Sequence, residues 1–97
     1  MSTDPQPASA EPHTRPTVRQ LEYVLALAEQ LHFRKAAEAC HVTQPALSAQ
    51  IQALEELLGV QLFERNRRQV LLTETGREIV GRARGILEAV DDLFDAA

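Results

Sequence analysis

Arg65, Arg67 and Arg68 stand almost side by side in a chain of 97 residues. Guanidinium groups bunched in this way pair with phosphate oxygens and fit a narrow, electronegative minor groove. Upstream lie Gln44, Pro45, Ser48 and Ala49, with Gln50 beside them. A glutamine amide can bond adenine N6 and N7 together, and small apolar groups can touch a thymine methyl. A solubilising charged turn and an ordinary solvated helix face would use the same residue types. The two readings part on whether the fold carries both groups to one surface.

Other chemistries find no comparable set. Cys40 is the only cysteine, which rules out an intramolecular disulfide and suits a reducing cytosol. With His32 and His41 it falls short of the four paired ligands of a structural zinc site. Its place among alanines on an inward helix face marks it as a small apolar filler rather than a redox thiol. No phosphate-binding glycine loop, nucleophile elbow or HExxH motif occurs, so the expectation is a non-enzyme without cofactor or metal. No apolar segment is long enough for a signal peptide or a bilayer span, so a soluble, cytoplasmic protein with no membrane partner is expected.

The net charge of −4 argues against a nucleic-acid binder until its distribution is considered. Residues 74–97 hold most of the excess, with Glu74, Glu78, Glu88, Asp91, Asp92 and Asp95 against Arg77, Arg82 and Arg84. The middle of the chain is balanced and contains the arginine cluster. Local charge decides whether phosphate can approach.

Residues 1–16 contain four of the five prolines and no large apolar side chain beyond Met1, so a disordered tail is expected there. From Thr17, a potential cap, Val18, Leu21, Val24, Leu25, Ala28 and Leu31 recur at helical spacing, with Tyr23 and Leu27 widening the arc. A second short helix, Phe33 to Cys40, turns Phe33, Ala36, Ala37 and Cys40 inward. His41 and Val42 make a tight turn, Thr43 caps a third helix with Pro45 in its first turn, and Gly59 ends it after Leu58. Val60–Arg65 and Gln69–Leu72 read as a hairpin with a basic tip. Thr73 caps a last helix to the chain end. The fold class is therefore mainly α: a winged helix-turn-helix (residues 17–73, motif about 33–52, wing about 60–72) and a long C-terminal helix (74–97).

Two helices joined by so short a turn need small residues where they cross and an apolar residue in the turn. Ala36, Ala37, Cys40 and Val42 meet that need, although His41 stands where glycine is common. On the third helix Leu47, Ile51, Leu54 and Leu58 form the buried face. Pro45, Ser48, Ala49 and Gln52 project opposite it, with Gln44 in the first turn. Glu55 and Glu56, further along, would repel phosphates, so the helix must meet DNA by its N-terminal tip, where its dipole is positive.

The stretch FRKAAEACHVTQPALSAQIQALEELLGVQLFER, followed by LTETG, resembles the signature of the LysR-type transcription regulators. The resemblance spans residues 17–97, and within the family LEYVLALAE and HFRKAAEACHVTQPALSAQI are similar to the peroxide-responsive OxyR branch. It implies an antiparallel pairing of the last helix with its twin and an effector-binding domain, absent from this chain, through which a small-molecule or redox effector and higher oligomers would act. It also implies base contacts from Gln44, Pro45, Ser48, Ala49 and Gln50, and a minor-groove contact from Arg68. Phe33, Arg34 and Thr43 sit where the family touches the DNA backbone. Many members have arginine at position 49, so Ala49 loses whatever that side chain reads.

The last helix carries a stripe of Ile79, Val80, Ala83, Ile86, Leu87, Val90, Leu93 and Phe94. It is too wide for the short helices to cover and predicts a homodimer. Antiparallel pairing would set Arg82 and Arg84 against Asp91, Asp92 and Asp95 of the twin. A helical protein–protein module with an acidic end is the competing class. The uncharged reading tip and the arginine cluster favour a dimeric regulator on promoter DNA.

Overall fold

In the computed structural model, which describes residues 14–97, four helices and a two-stranded sheet follow one another as α1 (Val18–Gln30), α2 (Phe33–Ala39), α3 (Gln44–Leu58), β1 (Phe63–Arg65), β2 (Val70–Leu72) and α4 (Glu74–Ala96). The tail expected at residues 1–16 lies outside the described residues except for exposed Thr14, Arg15 and Pro16.

Side chains satisfy each helix start. Thr17 and Gln20 form a capping box on α1: the Gln20 amide N–H donates to Thr17 Oγ1 and the Thr17 N–H to Gln20 Oε1, both at 3.0 Å. His32 Nδ1 accepts from Lys35 N at 3.3 Å to start α2. Thr43 and Thr73 cap α3 and α4 by accepting from Ala46 N and Gly76 N at 3.2 and 2.8 Å. Gly59 ends α3 in the left-handed conformation, φ 73°. His41 takes the left-handed position of the α2–α3 turn at φ 59°, which histidine tolerates better than most residues.

The core joins Leu21, Val24 and Leu27 of α1, Ala36 and Ala37 of α2, and Leu47, Ile51 and Leu54 of α3 to Leu62, Phe63 and Val70 of the wing. Tyr23 is buried with them. Val18 and Leu31, expected on the same stripe, are exposed because they lie at the two ends of α1, beyond the helices that cover its middle. Leu58, at the end of α3, is only partly buried.

The strands are shorter than the apolar runs predict. They pair antiparallel, Phe63 with Leu72 and Arg65 with Val70. Glu55 accepts from the Leu62 and Phe63 N–H groups at 2.9 and 3.2 Å, so beyond Phe63 only the Leu62 carbonyl, accepting from Thr73 N at 3.0 Å, continues the ladder. The N-terminus of α4 packs tightly on this segment. Thr73 Oγ1 donates to the Gln61 carbonyl at 2.7 Å, and a Cβ on Gly76 would collide with the Leu62 carbonyl.

The stripe on α4 divides. Val80 and Ala83, expected at a dimer seam, are buried inside the protomer against the core, and Ile79 and Leu87 pack partly on it. Beyond them α4 outruns the body: Ile86, Leu93 and Phe94 are 48%, 66% and 82% exposed, with Val90 half-buried. Arg82 and Arg84 already have partners in the chain, Glu78 at 3.3 Å and Glu29 at 3.6 Å. Both pairs are exposed and contribute little.

Candidate nucleic-acid interface

The crossing of α2 and α3 holds the first turn of α3 outward. Leu47, Ile51 and Leu54 anchor one face, and Gln44, Pro45, Ala49 and Gln50 are exposed, with Ser48 half-buried. All are uncharged, and the helix dipole places partial positive charge at this end. Thr43 is exposed. Its oxygen already accepts from Ala46 N, which leaves the hydroxyl hydrogen to donate outward.

The wing is built by one asparagine. Asn66 Oδ1 accepts from Arg68 N at 2.7 Å and Gln69 N at 2.9 Å, while Asn66 N donates to the Gln69 carbonyl at 3.0 Å. The turn exposes Arg67 and Arg68 at its apex. Among the described residues, no carboxylate lies within ion-pair distance of Arg34, Arg67 or Arg68. An open groove runs between His32, Phe33 and Arg34 on one side and Asn66, Arg67, Arg68 and Gln69 on the other, and Gln44 borders it. Gln44, the first of the uncharged tip residues, therefore shares one edge of the molecule with Arg67 and Arg68 of the wing.

Arg65 differs from its neighbours. Its guanidinium lies 2.9 Å from Glu55 Oε1 and stacks over the Phe33 ring at 5.3 Å from the centroid. It latches the base of the wing to α2 and α3, so Arg65, expected to meet a phosphate, already has a carboxylate partner within the protein. Phe33 is half-buried beneath it. Glu55 is correspondingly withdrawn from the surface, its carboxylate shared among Leu62 N, Phe63 N and Arg65. The expected repulsion of phosphate by Glu55 is thus muted, and only Glu56 remains exposed.

Two further residues escaped sequence reasoning. Gln20 is 3% exposed and its Nε2 donates to Gln50 Oε1 at 3.2 Å, so a buried amide reaches the candidate surface from α1. The Thr17-x-x-Gln20 spacing signals the capping box, but nothing in it signals the cross-helix bond. Arg19 donates to the Cys40 carbonyl at 2.9 Å, bonds Glu22, and lies over the Tyr23 ring, tying α1 to the helix-turn-helix. Burial pushes the Cys40 thiol above its ordinary pKa against a smaller opposing pull from Arg19, which disfavours the thiolate.

Two crossed helices with an uncharged exposed tip, beside a hairpin with free arginines, define a winged helix-turn-helix. Residues 18–77 match the bacterial regulatory helix-turn-helix proteins of the lysR family. The chain belongs to that family. It is 52% identical over 80 residues to the DNA-binding transcriptional dual regulator OxyR of Escherichia coli K12, covering 82% of this chain and 26% of the relative. The chain thus spans about a quarter of the length of the curated relatives it matches. Full-length OxyR from Pseudomonas aeruginosa superposes with a TM-score of 0.81 at 41% identity, over 84% of this chain and 28% of that one. The crystal structure of the CbnR_DBD-DNA complex is similar at a TM-score of 0.80 and 42% identity, over 84% of this chain and 93% of that one. No described helix is long and apolar enough to cross a membrane.

Proposed function

We propose that this chain is the sequence-specific DNA-binding part of a cytoplasmic transcription regulator and has no catalytic role. The first turn of α3 enters the major groove, where Gln44, Pro45, Ser48 and Ala49 meet base edges. The wing reaches the adjacent minor groove through Arg67 and Arg68, and Arg34 and Thr43 meet phosphates. The observation that carries this reading is the shared edge: Arg34, Gln44 and the arginine tip of the wing border one groove, and no described acid neutralises those arginines. Membership of the family supports it, as does the likeness to a domain solved on DNA.

Residues 17–73 form the DNA-binding unit and 74–97 the dimerisation helix. The distal stripe of exposed Ile86, Leu93 and Phe94 and half-buried Val90, flanked by Ile79 and Leu87, pairs with a second copy. Two recognition helices then address an interrupted palindrome in a promoter. Response to a small-molecule or redox effector, and assembly beyond the dimer, belong to an effector-binding part distinct from residues 17–97.

A gel-shift titration against A·T-rich promoter duplexes, at two salt concentrations, tests the reading. Binding should weaken steeply with salt and favour a palindromic site over a scrambled duplex. Failure to shift any duplex at low salt would rule out DNA binding.

A further inference from the structure

The bond from buried Gln20 to exposed Gln50 has a directional consequence. A glutamine amide can present either its oxygen or its nitrogen, and on an exposed helix face both orientations are open. Gln20 has no such freedom. The Thr17 backbone N–H can only donate, so the atom facing it, 3.0 Å away, is the Gln20 oxygen. Gln20 Nε2 therefore points the other way and can only donate, and it meets Gln50 at 3.2 Å. That fixes Gln50 in turn, with its oxygen toward α1 and its NH2 group away from Gln20 toward solvent. Side-chain entropy reinforces the chain of bonds, because Gln20 is locked in the core by its own cap.

Position strengthens the point. At about 100° per residue, Gln50 lies well round the helix from Pro45 and Ala49, on the flank of α3 that faces the start of α1. That flank borders the reading face rather than belonging to it. The positive end of α1 is also there.

We propose that Gln20 is a positioning residue that converts Gln50 into an obligatory hydrogen-bond donor, and that the acceptor is a DNA phosphate oxygen rather than a base edge. This rests on the DNA-binding reading above. It moves Gln50 from the base-reading group to the backbone-contacting group, and it makes the start of α1 part of the interface through a residue that never touches DNA.

The test inverts the polarity of the relay while keeping the fold. In Gln20→Glu one carboxylate oxygen still accepts from Thr17 N, as glutamate commonly does in a capping box. The other oxygen can only accept, so Gln50 must turn its NH2 group inward and offer its oxygen to the phosphate. Binding is measured on a palindromic duplex enriched from a random pool by the wild-type chain, and on its scrambled counterpart. Thermal melting is followed in parallel. The Gln20→Glu chain should melt as the wild type does and bind both duplexes about tenfold more weakly. In a Gln50→Ala background the same change should matter less than about twofold, because the relay no longer has an end.

An equal loss in both backgrounds would mean that the added charge alone acts, and would overturn the relay. A loss confined to the enriched duplex would place the acceptor on a base and overturn the phosphate assignment. Should Gln20→Glu fail to fold, Gln20→Met supplies the same cycle without added charge, its smaller loss again vanishing with Gln50→Ala. A wild-type chain that enriches no duplex from the pool refutes the DNA-binding reading itself, an outcome distinct from a wild-type chain that binds while the cycle shows no coupling.

Discussion

The base and the tip of the wing use the same residue type for opposite ends. Arg65 at the base has a carboxylate at 2.9 Å and an aromatic ring beneath it, so its charge is satisfied within the protein. Arg67 and Arg68 stand at an apex shaped by Asn66, with no described carboxylate in reach. α4 repeats the contrast along its length. Its first turns are clamped by Gly76, Val80 and Ala83, and its last turns expose Ile86, Leu93 and Phe94. In both elements the part near the core holds geometry, and the part beyond the core keeps its chemistry for a partner. Reach, not residue type, divides the roles.

The largest effect should come from tightening the clamped side. Gly76→Ala drives a Cβ into the Leu62 carbonyl, and neither backbone can yield without unseating the wing from α4. A destabilisation of about 2–3 kcal/mol is expected, roughly 10–20 °C in Tm for a domain of this size. Gly81→Ala is the control, since its Cβ meets nothing and alanine favours a helix interior by about 0.5–1 kcal/mol. Calorimetry giving the two variants the same sign would break the contrast between clamped and open positions.

Next comes the distal half of α4. Ile86→Asp with Leu93→Asp alters residues that the protomer leaves exposed, so the fold should survive. The dimer should not, and operator affinity should fall by at least about a hundredfold as two tethered half-sites become one. Val80→Asp, by contrast, buries a charge against α1 and should unfold the chain. Sedimentation equilibrium decides the matter: a wild-type monomer at tens of micromolar would leave the distal stripe without its proposed partner. A smaller effect follows from Glu55→Gln. The amide oxygen can still serve Leu62 and Phe63 N–H, but its NH2 then faces the Arg65 guanidinium, donor against donor. About 1–2 kcal/mol of stability should go, read from denaturant melts, with a modest drop in DNA affinity as the wing loosens.

Much of this fold could be read from local signals. Thr17, Thr43 and Thr73 cap the helices they were expected to cap, and Gly59 ends α3, because capping depends on a few adjacent residues. Helix periodicity found the core of α3 for the same reason. What escaped depends on contacts between elements distant in sequence. Glu55 reads as a solvated acid on a helix until the Leu62 and Phe63 N–H groups arrive beside it, and it is these bonds that shorten the strand predicted from Val60. Val80 and Ala83 share a stripe with Ile86 and Leu93, and periodicity cannot say where along the stripe α1 stops covering it. Of the candidate site, the tip residues were legible because exposure follows from the opposite buried face. The Gln20–Gln50 bond was not, since it joins residues thirty positions apart.

The smallest change separates the arginines most sharply. Arg68→Ala removes a cation held at the wing apex with no described ion-pair partner, so stability should stay within about 0.5 kcal/mol of the wild type. Its effect should lie in binding. Removing one cation from a phosphate lowers the slope of log affinity against log salt by about one unit, and a narrow A·T-rich minor groove, with its concentrated negative potential, should magnify the weakening. Arg67→Ala should follow the same pattern. Arg65→Ala should do the reverse: it strips Glu55 of its partner, so melting temperature falls, while the salt slope changes by less than about half a unit because that cation already faces a carboxylate. The comparison therefore requires measuring slope and melting temperature on all three variants. If Arg65→Ala and Arg68→Ala shift the slope equally, the latch at the base opens on DNA and both arginines serve the phosphates. If Arg68→Ala leaves the slope untouched, the wing tip does not meet the backbone, and the minor-groove contact must be sought elsewhere on the same edge.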